Sequence, residues 1–150
     1  KIFRLLKETN LPFIIMHSIS DPKNMQKDIK YEDVLLDVYD FFESQIEKCK
    51  KNSINLNNII IDPGIGFGKT VKQNLKLISN ISLFHSLGFP ILLGASRKTF
   101  IGKLSKNTLN SDRLGGSIAA VLYGYTQGVQ IFRVHDVYET IQAIKIFSKI

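Results

Sequence analysis

The stretch Ile59-Ile60-Ile61-Asp62-Pro63-Gly64-Ile65-Gly66-Phe67-Gly68-Lys69-Thr70 ends an apolar run on a carboxylate and follows it with a glycine-rich loop. The loop invites two nucleotide-binding readings, and spacing rejects both. A phosphate-binding loop needs Gly, four residues and then Gly-Lys-Thr, which puts its first glycine at Pro63, a residue with no N–H to offer a phosphate. The dinucleotide fingerprint G-x-G-x-x-G begins at Gly64 and Gly66 but meets Lys69 where the third glycine belongs. What remains is an Asp at the end of a buried strand, followed by glycines that let the backbone approach a flat ligand.

Working outward, residues 11–16 form a short continuous apolar run, as expected for a parallel strand buried on both faces. Residues 31–51 place Val34, Leu35, Val38, Phe41, Phe42, Ile46 and Cys49 near helical spacing. Residues 59–61 are the next strand and 75–87 the next helix, stopped by Gly88 with Pro90 beyond it. A third strand spans 91–93, followed by a helical turn over 99–104 and a polar loop at 105–110 that marks a flexible linker. The helix over 114–125 has Ser111 or Asp112 as its N-cap, and Gly115, Gly116, Ala119 and Ala120 allow close packing. A fourth strand spans 129–134. Asp136-Val137-Tyr138-Glu139 has the D-x-x-E form of a capping box and opens a last helix to Ile150.

Strand and helix alternate four times, which implies parallel strands joined by right-handed crossovers. Four such units are half of a (β/α)₈ barrel, which needs about 250 residues. An open doubly wound sheet is the other geometry compatible with the pattern. Met16, Asp62, residues 94–98 and Arg133 with His135 all fall at or just past the C-terminal ends of successive strands, which core packing does not require. That coincidence favours a site.

The 150 residues fit one domain with 44% hydrophobic content and a mean hydropathy of +0.03. No run of eighteen apolar residues suggests a membrane span, and the start at Lys1 lacks a signal-peptide pattern and an initiating Met, so the beginning reads as cut. The single cysteine, Cys49, favours a reducing compartment and reads as a solvated or half-buried bystander rather than a nucleophile. A net charge of +7 raises the question of nucleic acid. The lysines, however, are scattered without a stripe interleaved with aromatics, so solvated helix faces with a mild attraction for anionic substrates fit better.

The 59–70 stretch resembles the D-P-G-x-G-F-G-K loop of the dihydropteroate synthase family. Ile15-Met16-His17 with Asp21-Pro22-Lys23-Asn24-Met25-Gln26 is similar to that family's M-H segment and N-P-x-x-M-Q. Leu93-Gly94-Ala95-Ser96-Arg97-Lys98 resembles its G-x-S-R-K, and Arg133-Val134-His135-Asp136-Val137 its R-V-H-D-V. These matches fall in the family's order and cover nearly the whole chain. The family's first half, with an Asn near the first strand, a D-T-R-P type loop and an N-D motif, has no counterpart here. The resemblance therefore implies an α/β fold, the C-terminal half of a (β/α)₈ TIM barrel (strands five to eight with their helices). Residues 1–150 would be a partial pterin-binding domain without its N-terminal half.

What the resemblance implies chemically is the joining of 7,8-dihydropterin-6-ylmethyl diphosphate to p-aminobenzoate, giving dihydropteroate and diphosphate in folate biosynthesis. Asp62 would accept the 2-amino and N3 edge of the pterin, with Phe67, Met16, Gly94, Lys98 and Arg133 around that ring. Ser96 and Lys98 would approach p-aminobenzoate, and Arg133 and His135 the diphosphate, with Arg97 organising its loop. A Mg²⁺ would travel with the diphosphate, its protein ligand lying in the half not present. The resemblance further implies a cytoplasmic transferase of a kind that sulfonamides target, a homodimer when complete, with no nucleic-acid or membrane partner; the piece alone is expected to be inactive. Against each assignment stands a plainer one. Asp62 caps its own turn, Ser96-Arg97-Lys98 is an exposed basic turn, and His17 is as readily structural as functional. Other readings are a methyltetrahydrofolate–corrinoid methyltransferase-like domain, a non-catalytic remnant, or two copies pairing into one barrel.

Overall fold

The computed structural model describes residues 2–19, 31–106, 109 and 113–150. Four parallel strands carry the fold: β1 (Phe13–Met16), β2 (Ile59–Asp62), β3 (Leu92–Leu93) and β4 (Ile131–Phe132). β1 pairs with β2 from Phe13 against Ile59 to Met16 against Asp62, and β3 with β4 from Leu92 against Ile131 to Leu93 against Phe132. A parallel bridge between Ile61 and Ile91 joins the two pairs. Each strand therefore lies beside the next strand in sequence, and the order does not reverse as it would at the switch point of a doubly wound sheet. The described strands form small parallel pairs and no closed barrel.

The helices are α1 (Ile2–Thr9), α2 (Val34–Lys51), α3 (Val71–Ser79), α4 (Thr99–Ser105), α5 (Leu114–Thr126) and α6 (Val137–Phe147). α2 begins where Asp33 Oδ1 accepts the N–H of Leu35 at 2.9 Å. The stripe Val34, Val38, Phe42, Ile46 and Cys49 is buried. It packs with Ile59 and Ile61 of β2, Leu77 of α3 and Phe84 into one core. α3 opens on a reciprocal capping box, Gln73 N–H to Thr70 Oγ1 at 3.2 Å and Thr70 N–H to Gln73 Oε1 at 2.8 Å. The Lys-Thr pair that mimics a phosphate-binding loop is thus, at Thr70, a helix start.

Several expectations are revised. The helix expected over 75–87 starts earlier and stops at Ser79, with a 3₁₀ segment over Ile81–Leu87. Asn80 Nδ2 donates to Lys76 O at 2.8 Å, taking a carbonyl that a continuing helix would use. β1 is not buried on both faces: Phe13 and Ile15 pack against the core, whereas Ile14 and Met16, on the opposite face, are 51% and 38% exposed because no described element covers that face. Cys49 is buried in the core, 3% exposed, rather than solvated, since it completes the apolar stripe of α2. Asp136 occupies the N-cap position of α6 without a side-chain cap bond, because its carboxylate faces Arg97. Asp21-Pro22-Lys23-Asn24-Met25-Gln26, the candidate caps Ser111 and Asp112, and residues 107, 108 and 110 of the polar loop lie outside the described residues.

The small residues of α5 divide by environment. A methyl at Gly116 would stand 2.3 Å from Ile101 Cγ2, whereas one at Gly115 meets nothing within 4 Å. Gly116→Ala should therefore lower stability by about 1–3 kcal/mol through overpacking. Gly115→Ala should raise it by roughly 0.5–1 kcal/mol by removing backbone entropy from the unfolded chain. Urea denaturation of the two variants checks the opposite signs.

Candidate active site

The β1–β2 register places Met16 beside Asp62 at the C-terminal ends of their strands. The Arg133 N–H bonds Leu93 O at 3.1 Å, so Gly94 and Arg133 leave β3 and β4 side by side on the same rim. Asp62 is buried, 9% exposed. Its Oδ1 accepts the N–H of Gly64 at 2.8 Å, so it does cap its own turn. A carboxylate has roughly four lone-pair sites, and one turn bond leaves room for a second donor edge. Burial pushes the Asp62 carboxyl pKa up, and the Gly64 N–H, Lys98 and Lys69 oppose that rise.

The loop behind Asp62 is held from beneath. Gly64 has φ +69°, and a Cβ there would lie 1.9 Å from His17 O, so no side chain fits. The Gly66 N–H donates to Asn74 Oδ1 at 2.7 Å, and Asn74 Nδ2 donates to Thr70 O at 2.9 Å. Lys69 is 8% exposed and its Nζ lies 2.9 Å from Gly64 O, 3.0 Å from Phe67 O and 3.0 Å from His17 Nδ1. The Phe67 ring is left half-buried on the upper side, with Lys98 Nζ 3.9 Å from its centroid. Burial lowers the Lys98 pKa; Asp62 opposes that and Arg133 adds to it, so this ammonium stands between a carboxylate and a guanidinium.

The β3–α4 loop supplies Ser96, Arg97 and Lys98 in three different environments. Ser96 is buried and its Oγ accepts the His135 N–H at 3.2 Å, lying 3.0 Å from His135 Nδ1. Arg97, at φ +56°, turns its guanidinium to Asp136, with Nε 3.1 Å from Oδ2 and Nη2 against Oδ1. Its N–H donates to Ser117 Oγ at 2.9 Å and its carbonyl accepts Arg113 Nη1 at 2.9 Å. The Arg97 bond holds Asp136 below the usual carboxylate range. Arg97 is thus spent on structure, and Lys98, Arg133 and His135 face the rim.

The structure therefore gathers Met16, Asp62, Phe67, Gly94, Lys98, Arg133 and His135 at one end of the sheet. The basic run is no simple exposed turn, because Ser96 is enclosed and Arg97 is paired. Gly94 sits in ordinary contact with Arg133, 3.9 Å from its Cδ to a built Cβ, so packing within this chain does not demand a glycine there. Sequence reasoning missed Lys69 and Asn74. Lys69 reads as one of the scattered basic residues, and nothing in its local pattern shows that the ammonium turns inward to three acceptors. His85 sits away from the rim, its Nε2 2.8 Å from Gln127 O. Among the described residues no group of three His, Cys, Asp or Glu could hold a metal ion. The rim can bind a flat, guanidine-edged ring at Asp62 and an anion beside it.

Known proteins are similar to this chain in sequence and fold. The sequence profile of the pterin binding enzymes matches residues 1–135. A dihydropteroate synthase of Escherichia coli is 42% identical over 139 residues, covering 93% of this chain and 49% of that protein. One from a Synechocystis strain is 35% identical over 146 residues, 97% of this chain and 50% of that protein. Among solved structures, a Yersinia pestis dihydropteroate synthase with a sulfonamide drug complex superposes with a TM-score of 0.93 at 38% identity, covering 98% of this chain and 53% of that one. A Xanthomonas albilineans dihydropteroate synthase in complex with 7,8-dihydropteroate gives 0.89 at 32% identity, covering 98% and 53%. The chain spans about half the length of the curated relatives it matches.

His17, 6% exposed, sits edge-on to Phe41 at 4.9 Å, and burial followed by the Lys69 charge lowers its pKa from 6.5 to about 4. The unfolded chain takes up this proton near pH 6.5 and the folded one does not. The stability His17 contributes is therefore full above pH 6.5 and is lost as pH falls through about 4. Thermal unfolding between pH 7 and 4 should show that loss, and an NMR titration of the imidazole should find its midpoint near 4 rather than 6.5.

Proposed function

Because the chain belongs to the pterin binding enzymes, we propose that it is the second half of a dihydropteroate synthase, carrying much of that enzyme's substrate rim. In this reading the four sequential parallel strands are strands five to eight of a (β/α)₈ barrel, with the rim at the C-terminal face where such barrels act. The observation that carries it is the grouping of Asp62, Lys98 and Arg133 beyond three strand ends, with Lys98 within electrostatic reach of both Asp62 and Arg133.

Asp62 accepts the 2-amino and N3 donors of a dihydropterin, and Phe67 with the stem of Lys98 and Met16 walls the ring. Gly94 leaves room for the ring, and the guanidinium of Arg133 stacks on it. Ser96 and Lys98 lie toward p-aminobenzoate. The aryl amine attacks the pterin's exocyclic methylene, the C–O bond to diphosphate breaks with its electron pair leaving on oxygen, and the new C–N centre releases a proton. No side-chain nucleophile is needed. Catalysis is alignment plus stabilisation of the charge on the departing diphosphate, which falls to Arg133 and His135. Ser96, bonded to the N–H and beside Nδ1 of His135, leaves Nε2 of that ring to face the anion.

Magnesium would neutralise diphosphate charge, but the described carboxylates at this rim do not fit it: Asp62 caps its turn and Asp136 pairs with Arg97. No step here runs through the metal. The complete enzyme is proposed to be cytoplasmic and a homodimer; what supports the dimer is a largely apolar groove of about 600 Å³ between α5 and α6, lined by Leu114, Ile118, Leu122, Ile146 and Phe147. No described helix is long and apolar enough to cross a membrane.

The complete protein carrying this segment should form dihydropteroate and release diphosphate one for one, with a sulfonamide competing against p-aminobenzoate. Asp62→Asn should weaken binding of a pterin in calorimetry by about 2–4 kcal/mol, since an amide mismatches one donor of the paired edge. Unchanged affinity would leave Asp62 a turn cap only.

Arg133→Ala should slow turnover about 100-fold or more, and Arg133→Lys nearly as much, because an ammonium neither stacks nor forms a planar fork. A wild type indifferent to diphosphate that instead passes a methyl group to a corrinoid would move the chain to the methyltransferase class.

A further inference from the structure

We propose that Lys69 is a positioning residue: its ammonium ties the 64–68 loop to His17 and holds a positive charge behind Asp62, so that the carboxylate meets its ligand as an anion in one orientation. This deepens the reading above and rests on it only for the identity of the ligand. An ammonium has three N–H donors. The acceptors Gly64 O, Phe67 O and His17 Nδ1 lie at 2.9, 3.0 and 3.0 Å. Two of them bracket Ile65 and Gly66, so the curvature that presents Phe67 is closed through one buried atom. The third belongs to the segment after β1, and the same segment offers His17 O at 3.4 Å. His17 N–H in turn donates to Asp62 O at 3.0 Å. Lys69, His17 and Asp62 thus form a circuit joining the ends of β1 and β2.

For Nδ1 to accept from an ammonium, the imidazole proton must sit on Nε2, and the ring must be neutral. Its burial against Phe41 and Tyr31 enforces the second condition. The charged groups facing Lys69 are Asp62 from β2 and Lys98 from the β3–α4 loop, with His17 above it; Arg133 acts on Lys98. Lys98 is half-exposed and turned to Phe67, where a ligand would engage it. Lys69 is enclosed, so its charge stays with Asp62 whether or not the rim is filled.

Burial, followed by Lys98, lowers the Lys69 pKa from 10.5 to about 8 against the attraction of Asp62. Between those values the folded state holds fewer protons than the unfolded one, so this lysine adds to fold stability as pH rises from about 8 to 10.5. Over the same rise the charge behind Asp62 disappears. Stability and the field at Asp62 therefore move in opposite directions as pH rises through about 8, so the effect on the site is read from Asp62 and from ligand affinity rather than from stability.

The test uses the complete protein carrying this segment, with ¹³C-labelled Asp and Lys followed by NMR. In the wild type, the Asp62 carboxyl carbon should show an inflection at the pH where Lys69 Cε titrates, near 8. In Lys69→Met the Asp62 midpoint should move up, and affinity for 6-hydroxymethylpterin at neutral pH should fall at least about tenfold. An Asp62 carbon blind to the titration of Lys69, or a folded variant with both midpoint and affinity unchanged, overturns the proposal. If Lys69→Met does not fold, the wild-type titration alone decides. If the wild type ignores the pterin while Asp62 still follows Lys69, the ligand assignment fails and the positioning role stands.

Discussion

Parallel pairing with Met16 opposite Asp62 is the constraint on which the remainder depends. Side chains alternate across a strand, so a slip of one residue would turn Asp62 into the helix-facing core and bring Ile61 to the other face. The register is enforced by the fully buried Ile59 and Ile61, whose burial against α2 and α3 would be forfeited by any shift. Once β2 is fixed, the bridge from Ile61 to Ile91 aligns β3, and the bonds to Ile91 O and Leu93 O align β4. The rim is the consequence of core packing beneath it.

Above that core the problem is electrostatic. Burying a carboxylate near an apolar sheet is costly unless it is bonded and balanced. Here the balance comes from two loops: a backbone N–H from Gly64 and an enclosed ammonium from Lys69 in the loop after β2, and a half-exposed ammonium from Lys98 in the β3–α4 loop. The paired Arg97 and Asp136 cancel locally, and so brace the β3–α4 loop against the start of α6. The net excess at the rim is positive, which suits an anionic ligand fragment lying beside Asp62.

The sequence made legible what local patterns determine. Isoleucine runs, glycine stops and caps gave the alternation of strands and helices, and residues just past each strand end gave the rim. It did not disclose which partner a polar group would choose. Asp136 has the form of a capping box yet bonds Arg97, thirty-nine positions away. Lys69 reads as one basic residue among many, and only the close approach of Gly64 to His17 creates the carbonyl-lined hole that takes it in. Asn80 ends α3 through a side-chain bond to Lys76 O, the carbonyl a continuing helix would use. Cys49 reads as solvated or half-buried because charged lysines surround it, although its spacing continues the stripe that the structure buries.

The place of Cys49 gives the molecule a built-in gauge. It is the only cysteine of the 150 residues, sits at the C-terminal end of the α2 stripe, and has a thiol whose pKa is raised by burial. A thiol-reactive dye therefore finds neither access nor thiolate while α2 stays on the sheet. Labelling has to wait for that helix to lift. Its rate then reads the opening free energy of the α2–β2 layer separately from the loops at the rim, so that loosening of the site and loosening of the scaffold become distinguishable by a single reagent.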